Sequence, residues 1–511
     1  MTKATIPPQA GFIEVTKCNI VSHETGDAVD IKGNYISIDI RESIYQPFID
    51  GYIDIVDTYG MIYPTASERT ENKLFHIKGE EYLHIEYYDY ESLDDATKLK
   101  KETYFIYAIE EIDQLDGDKE TGLQYRLFFT SPQKIFSDTK VINKAYRNQT
   151  ISEMVETIYD EYYKKPVEEL CKTKDNDNNI LSFTKPLIVE PTTSKFTLCI
   201  PSLSPEQAIQ FLGRRAYSEK NHGSFFVFFE TRENFYFCTQ EYLTNLNRLK
   251  SIEPVYQFEY AHGKDDNSPE GQDRAQQIIS NATFPSMNSV EAIKAQAYSS
   301  RVSEVDLLNR NISHYYYHYK DNYLGYDNID ERPQLQNSKT FIEQTTGDVT
   351  HISESYVFKD YAGIGEPYEQ KANYDRQYPY YKETMSTKPV FNYHFAKAMM
   401  TGTIKGRNSL IPGDIIDVLI PEYAVTSMKK HIQGDQYFGG LQMVAGIDHR
   451  ITNNVWNCKI SYSKNTRGGG LEKNKPGTSS PPSLDSRVTN EDLTLAPDQN
   501  ITSETSTGNE S

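Results

Sequence analysis

The sequence predicts an α+β, mainly β protein in which two antiparallel β domains flank an α+β middle domain, with a disordered C-terminal tail. Three observations carry that reading. Apolar and polar residues alternate with a period of two on both sides of the chain, two marked helix starts lie between them, and apolar residues become sparse after Thr466. Alternation signals half-buried strands, because successive side chains on a strand point to opposite faces.

Alternation recurs at Ile36, Ile38 and Ile40, at Ile53 and Ile55, at Leu83, Ile85 and Tyr87, and at Tyr104, Ile106 and Ala108. Asp39, Asp54 and Glu86 fill intervening positions, while Gly26-Asp27, Gly33-Asn34 and Gly117-Asp118 supply turns. Residues 1–131 are therefore expected to form one antiparallel barrel or sandwich.

The period changes after Pro132. Thr150-Ile151-Ser152-Glu153 is a capping box, and Ile151, Met154, Val155, Ile158 and Tyr162 fall on one helical stripe. Ser204 as N-cap, Pro205 at the first helical position and Gln207 mark a second helix, with Ile209, Leu212 and Ala216 in register. Residues 196–200 read as a strand, and 224–229 with 235–238 as a hairpin across the polar turn Thr231-Arg232-Glu233-Asn234. The middle domain is thus expected at 132–262.

A charged, Gly-containing stretch at 262–274 marks the next boundary, before a short helix-like stretch at 289–297. Strand patterns return at 299–308, at 403–404, at Ile416, Val418 and Ile420, and at 444–463. These predict a second, discontinuous β domain over 263–465, interrupted by a Tyr-, Pro- and acid-rich insertion at 321–388. From 466 to 511, Gly468-Gly469-Gly470, Pro481-Pro482 and many Ser, Thr, Asn and Glu residues leave too little apolar surface to offset chain entropy. That tail is expected to be disordered alone and able to order against a partner.

Length alone argues for several domains, since 511 residues exceed what one core usually serves. No stretch approaches the roughly 20 apolar residues that span a bilayer, and the start, Met1-Thr2-Lys3-Ala4, lacks a secretory apolar core. Five cysteines with no C-x-x-C pair argue against a disulfide framework or zinc site. The net charge of −20 disfavours wrapping nucleic acid, yet suits a wall past which DNA slides. Thirty-nine Tyr and 23 Phe beside one Trp point to strands and buried interfaces.

No catalytic, cofactor-binding or metal-ligating residue is assigned. His314 and His318 have the spacing of a helical zinc pair, but the run between them is strand-like and lacks the companion Glu. Asp175, Asp177 and Asn179 open like a calcium loop, yet Ile180 stands where Gly is needed and Pro186 where Glu is needed. Ser461-Tyr462-Ser463-Lys464 has no partner motifs, and Gly363-Ile364-Gly365 lacks a third glycine. The pairs Glu80-Glu81, Glu110-Glu111 and Glu168-Glu169 could in principle serve a cell-wall hydrolase, but adjacency in sequence gives no facing geometry.

The segment 204–216, which opens Ser204-Pro205-Glu206-Gln207, leads to a hairpin reading aromatic, Glu230-Thr231, aromatic. Together these resemble the middle domain of contractile-tailed phage baseplate hub proteins. Further agreement lies at Tyr298-Ser299-Ser300-Arg301-Val302 with Asp306-Leu307, and in a C-terminal series of Pro412-Gly413-Asp414, Gly446, His449, Asn453-Asn454 and 456–462. The resemblance covers about residues 10–465; the insertion and tail depart from it. It implies two tube-like β barrels per subunit, a homotrimer, and a non-catalytic adaptor between the tail tube and the central spike. Implied partners are the spike, tail tube or tube-initiator proteins and other baseplate proteins, with DNA passing without specific binding. The alternatives are the hub body of a type VI secretion or tailocin-like spike, and a tail-associated cell-wall hydrolase.

Overall fold

The computed structural model describes residues 9–57, 60, 75–89, 98–117, 120–174, 184–249, 257–259, 278–283, 299–306, 311–322, 325, 353–358, 380, 382–388, 399–419, 439–463 and 485–489. Among the described residues strand outweighs helix by 53% to 21%, as a mainly β fold requires. No helix among the described residues is long and apolar enough to cross a membrane.

Seven strands open the chain: β1 (Ile13–Val21), β2 (Ala28–Asp30), β3 (Tyr35–Ser43), β4 (Asp50–Asp57), β5 (Tyr82–Asp89), β6 (Lys100–Gly117) and β7 (Glu120–Thr130). They pair antiparallel in the order β3-β4-β7-β6-β5-β1-β2. Ile38, Ile40, Ile53, Ile55, Leu83, Ile85 and Ile106 all enter one core, as their period demands. Ile36 does not. The ladder slips between Tyr35 and Ser37, and such a bulge reverses the facing of a side chain, leaving Ile36 exposed.

The middle region carries α1 (Pro132–Thr139), β8 (Ile142–Gln149), α2 (Ile151–Tyr159), α3 (Lys165–Lys174), β9 (Leu187–Val189), β10 (Phe196–Leu203), α4 (Pro205–Gly213), β11 (Phe226–Glu230), β12 (Phe235–Thr239) and α5 (Gln240–Leu249). Both expected helix starts are present as reciprocal capping boxes, Thr150 with Glu153 and Ser204 with Gln207. A π turn at Asp160–Lys164 joins α2 to α3. Pro166 follows it and has no N–H for the carbonyl four residues back, so the widened turn sits where α-helical bonding must fail. Phe48, from the β3–β4 connection, plugs this domain: its ring lies 5.8 Å from Tyr163 and 6.3 Å from both Phe228 and Phe235.

The remainder supplies β13 (Gln257–Glu259), β14 (Ser280–Thr283), β15 (Ser299–Asp306), β16 (Asn311–His318), α6 (Tyr319–Asn322), β17 (Ser353–Phe358), β18 (Met399–Lys405), β19 (Ile415–Leu419), β20 (Gly440–Thr452), β21 (Val455–Ser463) and β22 (Asp485–Thr489). The C-terminal strands do not stand apart from the N-terminal ones. β20 pairs with β3 from Gly446↔Ser43 to Ile451↔Ile38, so both β modules share a 13-stranded sheet and one core. Its main path runs from β14 to β2, with β19 beside β20 and β13 beside β19.

Three stretches take partners that the sequence pattern did not specify. The strand at 299–308, expected in the second β module, is β15 of a separate four-stranded sheet ordered β17-β15-β16-β22. Alternation shows that a strand is half buried but not which neighbours it takes. The insertion at 321–388 contributes β17 and a helical segment at 382–388 to that part of the protein. The tail expected to be disordered supplies β22, whose backbone groups find partners on the open edge of β16, from Ile312↔Thr489 to Tyr316↔Asp485. An unpaired strand edge can order a segment that has no core of its own.

Phe48→Ala removes the plug that fixes the first β module to the middle domain. The expected cost is about 3–5 kcal/mol, read as a lower denaturant midpoint, with the slope unchanged while unfolding stays cooperative.

Candidate functional site at the junction of the modules

In β3 the inward face carries Ile38, Ile40 and then Glu42, so strand parity delivers a carboxylate into the core. Its partner comes from the middle domain. The turn between β11 and β12 is closed by Thr231, whose N–H and hydroxyl both donate to the Asn234 carbonyl (2.8 and 3.0 Å), and it projects Arg232 into the seam between the β modules. Glu42 Oε1 accepts from Arg232 Nε at 2.7 Å, and Oε2 accepts from the Arg232 backbone N–H at 3.0 Å. Arg232 Nη1 and Nη2 donate to Asn408 Oδ1 (2.9 Å) and the Leu410 carbonyl (3.1 Å), in the connection from β18 to β19. The side chains of Glu42 and Arg232 are 0% and 5% exposed, so this is a buried pair in every practical sense.

The C-terminal module completes the enclosure. His449 on β20 and Cys458 on β21 are direct cross-strand neighbours, and Trp456 stands two residues away. His449 Nε2 lies 2.7 Å from Glu42 Oε1, while Trp456 Nε1 donates to His449 Nδ1 at 3.2 Å. That pattern assigns neutral His449 with its proton on Nε2, since Nδ1 must accept. Gly406 backs the indole ring; a Cβ there would fall 2.1 Å from Trp456, so only glycine fits. The Asn453-Asn454 turn joining β20 to β21 has φ of 47° and 62°, a left-handed pair that asparagine tolerates well.

Charge balance follows from this geometry. Burial pushes the Glu42 carboxyl up, but the Arg232 guanidinium and His449 outweigh it and hold it down at about 2. Burial, reinforced by Arg232, lowers His449 against the opposing pull of Glu42. The cluster is thus one carboxylate, one guanidinium and one neutral imidazole.

A second clasp lies beside the first. Glu230, 1% exposed, accepts from the Ile49 N–H at 3.0 Å and from Lys185 Nζ at 2.6 Å, tying the same hairpin to the start of β4. A cavity of about 160 Å³ adjoins both clasps, lined in part by Lys101, Glu102, Tyr104, Lys185, Glu230 and Arg232. Charges on its wall have partners there or just behind it: Lys185 bonds Glu230, Arg232 bonds Glu42, and Glu102 accepts from the Tyr87 and Tyr104 hydroxyls. Donors and acceptors that consume each other suit a clamp.

The motifs weighed from sequence take ordinary places. His314 and His318 share a face of β16, with His314 Nδ1 2.8 Å from Ser303 Oγ, and no metal-holding cluster occurs among the described residues. Glu81 is buried and accepts the N–H groups of Lys78, Gly79 and Glu80 as a turn brace. Glu110-Glu111 lies on β6 and Glu168-Glu169 on α3, so the acidic pairs occupy separate elements. Burial pushes the thiols of Cys18 and Cys458 up to about 12 and raises that of Cys238, while Cys199 is exposed. Ser461–Ser463 lie on β21; Lys464, the loop at 175–180 and Gly363–Gly365 fall outside the described residues, as does the side chain of Cys171.

Pro412-Gly413-Asp414 launches β19. Gly413 has φ of 96°, Asp414 Oδ2 accepts from the Ile411 N–H, the Gly413 N–H donates to the Val444 carbonyl, and the Val444 N–H donates to the Asp414 carbonyl. Sequence reasoning placed Arg232 in a polar turn, quoted His449 and Trp456 as motif members without a role, and passed over Glu42. The available signal was parity: Glu42 continues the buried series of Ile38 and Ile40.

Glu42→Ala strands Arg232 in the core and is expected to cost about 3–5 kcal/mol, the usual penalty for breaking a buried pair from one side. Acid has the same target. Glu42 contributes fully above its ordinary 4.5 and loses that contribution as pH falls toward 2, on the order of 3 kcal/mol in all. His449 adds a cost once the unfolded chain takes up its proton below 6.5. Thermal melts from pH 7 to 3 should show continuously falling stability, with a shallower slope in Glu42→Gln.

No family model matches the chain, and no curated protein matches it in sequence. Solved structures do resemble it. A tail protein from Neisseria meningitidis MC58 aligns with 91% of this chain and 100% of its own at 9% identity, TM-score 0.46. The 43 kDa tail protein of prophage MuSo2 from Shewanella oneidensis aligns with 88% of this chain and 98% of its own, also at 9% identity, TM-score 0.45. An Escherichia coli type VI secretion component, described as similar to phage T4 tail proteins, aligns with 91% of this chain and 80% of its own at 7% identity, TM-score 0.36.

Proposed function

We propose that this chain is the structural, non-catalytic baseplate hub of a contractile phage tail, a homotrimer that adapts a six-fold tail tube to a three-fold central spike. The observation that carries the reading is the β3–β20 joint, which sets two antiparallel modules of one chain side by side in a single sheet. Three chains built this way offer six comparable β surfaces, while contacts through the middle domain can stay three-fold. The residues that resemble hub proteins support it as well, because Pro412-Gly413-Asp414, His449 and Trp456 all sit at or beside that joint.

On this reading each module contributes a tube-like barrel to the ring, with the spike bound below, tube or tube-initiator proteins above, and other baseplate proteins around it. The protein resides in the virion tail after assembly in the host cytoplasm, without inserting into a membrane. DNA passes during ejection without specific binding. Across the joint, the sheet face opposite the core carries Asp39, Asp50, Asp54 and Asp448 beside Arg41, Arg126 and Arg450. Arg126 is engaged by Asp54 at 2.8 and 3.0 Å. A wall whose cations are neutralised by neighbouring carboxylates gives passing phosphates little to grip.

Light scattering of the purified chain, alone and with its spike, tests the reading. Three copies per particle are expected; a single copy under both conditions overturns it.

A further inference from the structure

Strand β22 sits within the tail, beyond the last strand of the large sheet, and pairs with β16 and with no other strand among the described residues. The contact is an antiparallel ladder of five residue pairs, from Ile312↔Thr489 to Tyr316↔Asp485. Backbone ladders of this kind do not depend on which chain donates the strand. Residues 464–484 separate Ser463, the end of β21, from Asp485, the start of β22. A stretch of that length reaches up to roughly 70 Å at about 3.3 Å per residue. A compact body of this size has a radius of gyration of only about 24 Å. Fully extended, the tether reaches well beyond the radius of its own body, far enough to permit a seat on a second copy.

We infer that β22 is an exchanged strand: in the assembled oligomer, each chain's Asp485–Thr489 seats on β16 of a second copy of this chain. The inference rests on the trimer reading. Without the tail strand, β16 would present an open edge rich in tyrosine, the kind of edge that pairs indiscriminately. Donating the strand to a neighbour covers that edge only when assembly is correct, and it links the subunits by backbone bonds and by the covalent tether together. Local tethering raises the effective concentration of donor strand at each seat far above that of free chains. The same contacts serve both arrangements, so exchange costs no new interface chemistry.

Cysteine trapping in the full-length chain decides the matter. Ser313 and Val488 are direct partners in the ladder. In a Cys171→Ser, Cys199→Ser background, which leaves among the native thiols only the buried Cys18, Cys238 and Cys458, chains carrying only Ser313→Cys are co-expressed with chains carrying only Val488→Cys and then oxidised. Exchange predicts a shift to twice the chain mass on a non-reducing gel, with a peptide bridged between 313 and 488, and no such bridge in either chain alone. A 313–488 bridge that forms only within the double-cysteine chain, in particles that still hold three copies, overturns exchange and leaves the trimer standing. The same internal bridge in a single-copy particle overturns both readings. No bridge in any combination overturns the seat of β22 itself.

Discussion

A charge taken out of water sets the terms for this fold. Glu42 lies wholly within the core, and an ionised carboxylate there costs several kcal/mol unless it is paired and hydrogen-bonded. Its partners come from three parts of the chain: Arg232 from the middle hairpin, His449 from β20, and, behind Arg232, Asn408 and Leu410 from the β18–β19 connection. Each part satisfies a polar group that the others leave bare. The three regions therefore gain most of this stabilisation together, and losing any one exposes the same deficit.

Apolar packing and the ladder agree with that demand. β20 is long enough for two neighbours on one edge, β19 along its first turns of ladder and β3 along the rest, while β21 occupies the other edge. Phe48 and Ile49, just after β3, carry the connection into the middle domain, the first by aromatic packing and the second by its bond to Glu230. Joint, plug and clasps thus fall within a short stretch of sequence around β3 and β4. The polar and apolar ties between the β modules and the middle domain are concentrated there.

Much of this was legible in the residues and some was not, for physical reasons. Local signals survive translation into structure: the capping boxes at Thr150 and Ser204, the hairpin around Thr231, and the Asn453-Asn454 turn are settled by bonds among near neighbours. Period-2 alternation located the strands of both modules because burial acts residue by residue. What alternation cannot encode is partnership. Nothing in the run at 299–306 says that it joins β16 and β17 instead of the large sheet, and nothing in Ile36 announces the bulge that turns it outward. Glu42 was readable only as a polar residue in an apolar series, since its partners lie far away along the chain.

That distance has a consequence for how the protein is made. Glu42 and His449 touch across 407 positions, so β3 has no neighbour on its outer edge until almost the whole chain has left the ribosome. At about 5–20 residues per second that interval lasts tens of seconds. Throughout it, the first module carries a bare strand edge, and Glu42, which can meet Arg232 after 190 positions, still lacks His449; long-range pairings of this kind are slow to form. The order of synthesis thereby makes the last strands a quality check on the first: a chain cut short before β20 keeps a sticky, unfinished flank.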